Sequence, residues 1–221
     1  MRFLKACLIL SVTLHSFSAK SAGAVGTLQI SPTSAKPFWE GKPQLELKMR
    51  EERAVLVSVR TDKGEKDKSA DLFSINGVGH VRRDAETIFG LAKQFDRLKD
   101  VSEVFREVKF EPKTNRVFVI CEALGYQARM LVKVDPSKEP IREIRFKVIE
   151  GHFEGLEGVM TFRELAKTET EVSFRARLEA REIPIPRALV GFALEVLVQK
   201  VAVKMRTHFE DAVADKKAIL N

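Results

Sequence analysis

The sequence predicts an α+β domain in which a curved antiparallel sheet of about seven strands wraps around one long C-terminal helix. The first observation is the stretch from Pro186 to about Lys216, which contains a single glycine and repeats apolar residues at helical spacing. The second is a series of strand-like segments, separated by short turns, that fills most of residues 71–180. The third is a pair of short helical segments after the first of these strands.

The strand-like segments follow one another at the spacing of an antiparallel meander. They are residues 71–82, 104–110, 117–124, 126–134, 141–149, 156–165 and 170–180. Apolar and polar residues alternate within them, so we expect one dry face covered by the long helix and one face open to water. Gly77 and Gly79 interrupt the first strand, which predicts a bulge or the close approach of another backbone.

The helices have recognisable ends. Asp84 can cap the first short helix, whose first turn contains Glu86, and a second short turn or helix follows at about residues 96–100. Pro186 suits the first turn of the long helix. The apolar stripe of this helix consists of Val190, Leu194, Leu197, Val198, Val201, Met205, Phe209 and Ala212. Gly191 costs about 1 kcal/mol relative to alanine, which indicates close approach of a loop or flexing at this position.

The first 24 residues have the order of a secretory signal peptide. Arg2 and Lys5 precede a short apolar run, and small residues end at Ala24. We expect cleavage after Ala24 and export to the periplasm or the exterior. The run is too short to span a bilayer, which takes about 20 apolar residues.

Three further regions follow the predicted signal peptide. Residues 25–70 are predicted to form an N-terminal arm with extra strands, because residues 45–60 alternate like two short strands. Phe38 and Trp39 either pack within this arm or form a lid over a cavity mouth. The main domain is expected at residues 71–216, followed by a tail at residues 217–221.

The charge pattern argues against a nucleic-acid-binding protein. The formal net charge is +7, and cleavage after Ala24 would remove Arg2, Lys5 and Lys20 from it. The remaining basic and acidic residues are interleaved, which is typical of a solvated surface. A weak, transient contact with an anionic membrane surface remains open, as does the oligomeric state.

No catalytic, metal or cofactor motif stands out. His80, His152 and His208 lie far apart and lack the spacing of metal ligands. Cys121 shares a strand face with Val119 and Ala123, which is typical of a buried small residue. We therefore predict no catalytic residue, no metal and no cofactor.

Several stretches, taken in their order along the chain, have a pattern shared with a known fold: residues 77–81, 84–89, 95–98, 101–108, 155–162, 183–186 and 205–210. With the order of elements, they resemble the helix-grip fold of the SRPBCC superfamily, which START domains, the birch-pollen allergen and polyketide cyclases share. It extends over about residues 71–216, and it departs from the family at Arg82-Arg83, where members often have Ala-Pro.

The resemblance implies an apolar cavity between sheet and helix that holds a lipid, sterol, quinone or polyketide. The predicted lining consists of Tyr126, Met130, Val132, Phe146, Val148, Met160, Phe162, Phe174, Leu194, Leu197 and Val201. Glu122, partnered by Arg106, is a candidate polar group of the cavity unless its strand phase faces solvent. We expect a non-enzymatic carrier or receptor of a hydrophobic ligand. The alternatives are a cyclase or hydratase using the same cavity, and a partner-binding module with a collapsed cavity and an exposed apolar patch around Phe38-Trp39.

Overall fold

The computed structural model describes residues 38–65, 67–123, 125–180 and 187–212. In chain order the elements are α1 (Pro43–Arg50), β1 (Leu56–Lys63), β2 (Asp71–Val81), α2 (Ala85–Ala92), a 3-10 turn (Phe95–Arg97), α3 (Leu98–Val101), β3 (Phe105–Glu111), β4 (Arg116–Ala123), β5 (Tyr126–Ser137), β6 (Glu143–Gly151), β7 (Glu157–Ala166), β8 (Glu169–Ala180) and α4 (Arg187–Asp211). The predictions for the signal peptide, Pro186 and the C-terminal tail concern residues outside the described ranges.

The strands form one antiparallel sheet of eight strands in the order β1-β2-β8-β7-β6-β5-β4-β3. Strands β2 and β8 are neighbours although they lie far apart in the sequence, and β3–β8 form the predicted meander. The predicted fold class is therefore confirmed, with β1 as an additional edge strand beside β2.

Helix α4 lies against one face of this sheet, which we call the inner face; the opposite face is the outer face. Its 25 residues correspond to a rod of about 38 Å. Leu194 packs against Phe73 and Leu178, while Met205 and Phe209 join the main core. The predicted apolar stripe therefore faces the sheet at Leu194, Met205 and Phe209. No helix in the described ranges is long and apolar enough to cross a membrane.

The first predicted strand of the N-terminal arm is wrong, because residues 43–50 form helix α1. Leu45, Leu47 and Met49 alternate, but Leu45 and Met49 are also four residues apart and therefore share one helix face. Met49 is 2% exposed while Leu47 is 51% exposed, as a helix requires. The other residues of this segment are mostly strong helix formers, and Pro43 begins the helix where a missing N–H has no cost.

The expectation that only one face of the sheet is covered also needs correction. Trp39 and Met49 pack on Val78, which points to the outer face of β2. Trp39 is 6% exposed, so this aromatic residue belongs to a packed arm and does not form an exposed patch. Phe38 meets it edge to face, with ring centroids 5.1 Å apart. The arm therefore covers the β1–β2 end of the outer face.

The short helices agree with the prediction. The carboxylate of Asp84 accepts a hydrogen bond from the backbone N–H of Thr87 at 2.8 Å and caps α2. This hydrogen bond is the main reason why the pKa of Asp84 lies below its ordinary value. Ile88 and Phe89 of α2 are fully buried and fasten the helix to the main core.

Two strand details refine the prediction. A Cβ at Gly79 would lie 3.2 Å from Cγ2 of Val55, so the group that lies close to this glycine is a side chain and not the expected backbone. Strand β5 was expected to end at Val134 but continues to Ser137 through Pro136. Pro136 is tolerated because β5 beyond Val134 pairs with β6 alone, so a strand edge is free on the side where the missing N–H would point.

Candidate ligand-binding face

The predicted lining residues of the sheet lie on its inner face. Strand alternation and the register place them there together: Tyr126, Met130 and Val132 of β5, Phe146 and Val148 of β6, Met160 and Phe162 of β7, and Phe174 of β8. Leu194, Leu197 and Val201 lie on α4 and are half-buried. The sheet thus brings residues from four strands of the sequence onto one continuous apolar surface.

Burial divides this surface into a filled part and an open part. Val148 and Phe162 are each 2% exposed and belong to the packed interior. The other apolar residues near the middle of the surface are only half-buried: Met130, Val132, Phe146, Met160 and Phe174. Large apolar side chains on central strands are normally fully buried, so this surface is incompletely covered.

The position of the helices explains the incomplete cover. Helix α4 makes its main contacts with β1, β2 and α3, and α2 approaches β7. Near its C-terminal end, α4 contributes Phe209 to the buried cluster that contains Val134 of β5 and Ile144 of β6. Met130, Val132 and Phe146 on the same two strands are only half-buried. The open part of the surface therefore follows from the way in which α4 lies along one side of the sheet.

An aromatic pair forms the floor of the open part. The rings of Phe146 and Phe174 are stacked, with centroids 5.6 Å apart and planes inclined by 9°. Gly158 lies opposite Phe146 in the register, and a Cβ there would lie 2.6 Å from Cζ of Phe146. The missing side chain at Gly158 allows the Phe146 ring to lie flat on the sheet beside Phe174.

Tyr126 and Cys121 mark the β4–β5 end of the inner face. Tyr126 begins β5 and is 37% exposed, so it lies at the rim of the surface. Cys121 is opposite Ala128 and half-buried, and loss of hydration raises the pKa of its thiol to about 11. The thiol is therefore protonated at neutral pH, as expected of a packed cysteine.

Glu122 and Arg106 lie on the outer face. Arg106 Nε donates a hydrogen bond to Glu122 Oε2 at 3.0 Å, so the expected ion pair is present. The two side chains are 41% and 55% exposed, respectively. Glu122 follows Cys121 in β4 and therefore points away from the inner face, which is the solvent-facing alternative. The structure does not place this pair as a polar group of the cavity.

The three histidines have separate environments. His80 lies between Glu169 and Glu171 on the outer face, with Nδ1 3.5 Å from Glu169 Oε1. The backbone N–H of Arg129 lies 3.2 Å from Nδ1 of His152, and His208 lies beside Phe209 on α4. In the described part of the chain, no three His, Cys, Asp or Glu side chains are grouped as ligands of one metal ion.

The sequence analysis did not predict that Gly158 leaves room for the Phe146 ring. The available clue was a glycine inside an otherwise regular strand, which often marks close approach of another group. The partner of this glycine could not be identified without the β6–β7 register.

The chain matches the sequence model of the family described as "Polyketide cyclase / dehydrase and lipid transport" over residues 81–206. No curated protein matches it at a significant level. The matched region includes the candidate surface from β3 to β8 and most of α4.

Solved structures share the fold at low sequence identity. A START superfamily protein from Mycobacterium smegmatis has a TM-score of 0.55 at 16% identity, with 63% of this chain and 98% of that chain covered. The Zhui aromatase/cyclase from Streptomyces sp. R1128 has a TM-score of 0.55 at 13% identity, with 64% of this chain and 96% of that chain covered. A STAR-related lipid transfer protein from Xanthomonas axonopodis has a TM-score of 0.52 at 8% identity, with 69% of this chain and 98% of that chain covered. With more than half of its residues matched by the family model, the chain belongs to the polyketide cyclase/dehydrase and lipid transport family of the SRPBCC superfamily.

Proposed function

We propose that this protein is an exported carrier that holds a lipid-like hydrophobic ligand on the open part of its inner face. The observation that carries the proposal is the half-burial of five apolar side chains on central strands, with the Phe146–Phe174 pair as the floor. A ligand that lies there would complete a core that the protein's own helices leave incomplete.

The physical chemistry of this surface favours an aliphatic or polycyclic ligand. Burial of apolar area stabilises a complex by about 0.8 kcal/mol for each CH₂ group, so a chain of several carbons needs no polar anchor. Met130 and Met160 are flexible and polarisable, and can adapt to ligands of different shape. The description of the family, which includes lipid transport, supports the same class of ligand.

The described residues offer no specific observation in favour of the enzymatic alternative. A cyclase or hydratase would need two or more titratable groups that converge on the substrate. On the inner face of β5–β8 the titratable side chains in the described ranges are Tyr126 and Glu164, and both are exposed towards strand ends. We therefore keep binding, rather than turnover, as the proposed activity.

Binding can be tested with Nile red, a neutral dye whose fluorescence rises in an apolar environment. Met160→Trp would place a larger side chain between Ile144 and Phe174, which are its neighbours across the strands, and obstruct the proposed ligand site. We expect this variant to bind the dye at least tenfold more weakly than the wild type. Val159→Trp adds the same side chain to the outer face of the same strand and should bind like the wild type.

Two results would contradict the proposal. One is a wild-type protein that does not bind Nile red and that native mass spectrometry finds free of ligand after purification from its own host. The other is equal loss of binding in Met160→Trp and Val159→Trp, which would place the dye elsewhere. Thermal unfolding of both variants checks that each remains folded.

Export is a separate part of the proposal and rests on the order of residues in the first 24 positions. N-terminal sequencing of the protein recovered from its own host should begin at Val25. A mature protein that begins at Met1 and stays in the cytoplasmic fraction would contradict export but leave ligand binding untouched.

A further inference from the structure

A second concavity lies on the outer face, on the opposite side of the sheet from the proposed ligand site. It has a volume of about 340 Å³ and lies between the end of α1, the end of β2 and the β7–β8 turn. Its walls are formed by Met49, Arg50, Arg53, His80, Arg82, Thr168 and Glu169. Three guanidinium groups from two separate parts of the chain therefore meet around one pocket.

Local structure explains why the basic residues converge. Arg50 is the last residue of α1, where a basic side chain interacts favourably with the helix dipole. His80 lies on the outer face of β2, and Arg82 follows at the end of this strand with the same alternation. Packing of Met49 on Val78 holds the end of α1 against β2, so that Arg50 and Arg82 line the same pocket.

The charges around the pocket do not cancel. Arg53 is engaged by an ion pair with Glu210 of α4, and Glu169 faces His80 at 3.5 Å. Glu171, behind His80, is held by two hydrogen bonds from Arg163 at 3.1 and 2.9 Å. Within the described ranges, the side chains of Arg50 and Arg82 form neither a hydrogen bond nor an ion pair, so two unpartnered guanidinium groups stand against the single carboxylate of the wall, Glu169.

We propose that this outer pocket binds an organic phosphate, the phosphate group lying between Arg50 and Arg82. Guanidinium groups bind phosphate oxygens through paired N–H donors, and the hydroxyl of Thr168 supplies a further donor. The volume exceeds the space that a bare phosphate ion fills, which favours a phosphate ester. The phosphate group belongs either to a small soluble ester or to a phospholipid headgroup.

The site is independent of the proposed carrier activity, because the sheet separates it from the open inner face. A ligand on the inner face would meet side chains such as Met160 and Phe174, whereas the outer pocket is lined by charged residues and Thr168 around Met49. Loss of one activity should leave the other in place, so each can be tested alone.

Isothermal titration calorimetry in a phosphate-free buffer at low salt tests the soluble ester, with sn-glycerol 3-phosphate as the probe and glycerol as the neutral control. Co-sedimentation with phosphatidylglycerol vesicles, compared with phosphatidylcholine vesicles, tests the headgroup. We expect the wild type to bind in at least one of these arms. Binding of glycerol 3-phosphate assigns a soluble ester, and binding of phosphatidylglycerol vesicles alone assigns the headgroup.

The variants locate the site. Arg82→Gln and Arg50→Gln should each weaken binding at least tenfold, whereas Arg116→Gln, which removes another exposed cation at the start of β4, should not. Glu169→Gln removes a negative charge from the wall and should strengthen binding. Absence of binding in both arms, or equal losses for Arg82→Gln and Arg116→Gln, would overturn the proposal. Unchanged thermal unfolding and Nile red binding show that a loss does not come from misfolding.

Discussion

Two aromatic pairs on opposite faces of one sheet have different surroundings. On the outer face, Trp39 meets Phe38 and packs with Met49 and Val78 into a small cluster, in which Trp39 is 6% exposed. On the inner face, Phe146 and Phe174 stack at a similar distance, yet both stay half-buried. In the first pair the chain covers Trp39 and leaves Phe38 half-buried, whereas in the second pair both rings are half-buried.

The difference shows which apolar surface stabilises the fold and which is available for binding. Covering the outer cluster takes the short helix α1 and its preceding turn, which lie close in sequence to the strand they cover. Covering the middle of the inner face would need a helix to cross β5 and β6, but α4 makes its main contacts along β1 and β2. Removal of a residue from each pair therefore has different consequences.

The largest expected effect separates stability from binding. Trp39→Ala should lower the free energy of unfolding by about 3–5 kcal/mol, because it leaves a cavity in a closed cluster. Phe174→Ala should cost less, about 1–2 kcal/mol, because its ring is only half-buried. Urea unfolding gives both values, and Nile red titration should show weaker binding for Phe174→Ala alone. Equal unfolding losses with unchanged dye binding would contradict the distinction between the two pairs.

The sequence was sufficient for the parts of this comparison that depend on local periodicity. The strands from β2 to β8, the cap at Asp84 and the apolar stripe of α4 each follow a clear pattern over several residues. The prediction of a strand in the segment that forms α1 was wrong, because an alternation of only three apolar residues also satisfies the helical period. The side of the sheet on which the arm packs could not be predicted, since it depends on contacts between Trp39 and Val78 that no local pattern specifies.

The two candidate sites also differ in how much of each could be predicted from local sequence patterns. Alternation placed Met160 and Phe174 each on the apolar side of its own strand, and the β7–β8 register sets the two residues directly opposite each other. Alternation did not decide whether Glu122 points to the inner or the outer face, and the register of β4 with β5 shows that it points to the outer face. The outer pocket combines Arg50, Arg82 and Thr168 from three distant segments, so only the tertiary structure brings it together.

The second prediction concerns the thiol at the end of the inner face. Burial raises the pKa of Cys121 from 9.0 to about 11, which lowers the thiolate fraction about a hundredfold at neutral pH. In a Cys7→Ser background, the folded protein should therefore react with Ellman's reagent about a hundredfold more slowly than the urea-unfolded protein. Since Cys121 lies on the inner face, saturation with Nile red should not accelerate the reaction. Similar rates for folded and unfolded protein would contradict the burial of this thiol.

The third prediction concerns Glu171 and its two partners on the outer face, His80 and Arg163. Burial alone would raise the pKa of Glu171, but interactions with His80 and Arg163 outweigh it and hold the pKa below the ordinary value of 4.5. A lowered folded-state pKa means that the stabilisation is present above about pH 4.5 and is lost as the pH falls through the lower, folded-state pKa. Because the Arg163 side chain is 64% exposed, we expect Glu171→Gln to cost only about 1 kcal/mol at pH 7.

Urea unfolding of the wild type and Glu171→Gln at pH 7 and pH 3 measures this effect. The difference between the two proteins should shrink at the lower pH. Glu86→Gln is the matched control, because Glu86 also pairs with two cations, Lys138 and Arg142, but its side chain is 53% exposed. A Glu171→Gln penalty that stays constant between the two pH values would show that charge is not its source.

The smallest expected effect tests whether α4 moves over the inner face. Among the described residues, a methyl group at Gly191 would meet only Thr61 Oγ1, at 3.8 Å, and one at Gly90 of α2 would meet nothing within 4 Å. Both Gly→Ala variants should therefore stabilise the protein by about 0.5–1 kcal/mol, since alanine favours the helix. If flexing of α4 at Gly191 admits the ligand, Gly191→Ala should also slow Nile red dissociation severalfold in stopped-flow experiments, and Gly90→Ala should not. Equal dissociation rates in the two variants would mean that α4 stays in place while the ligand enters beside it.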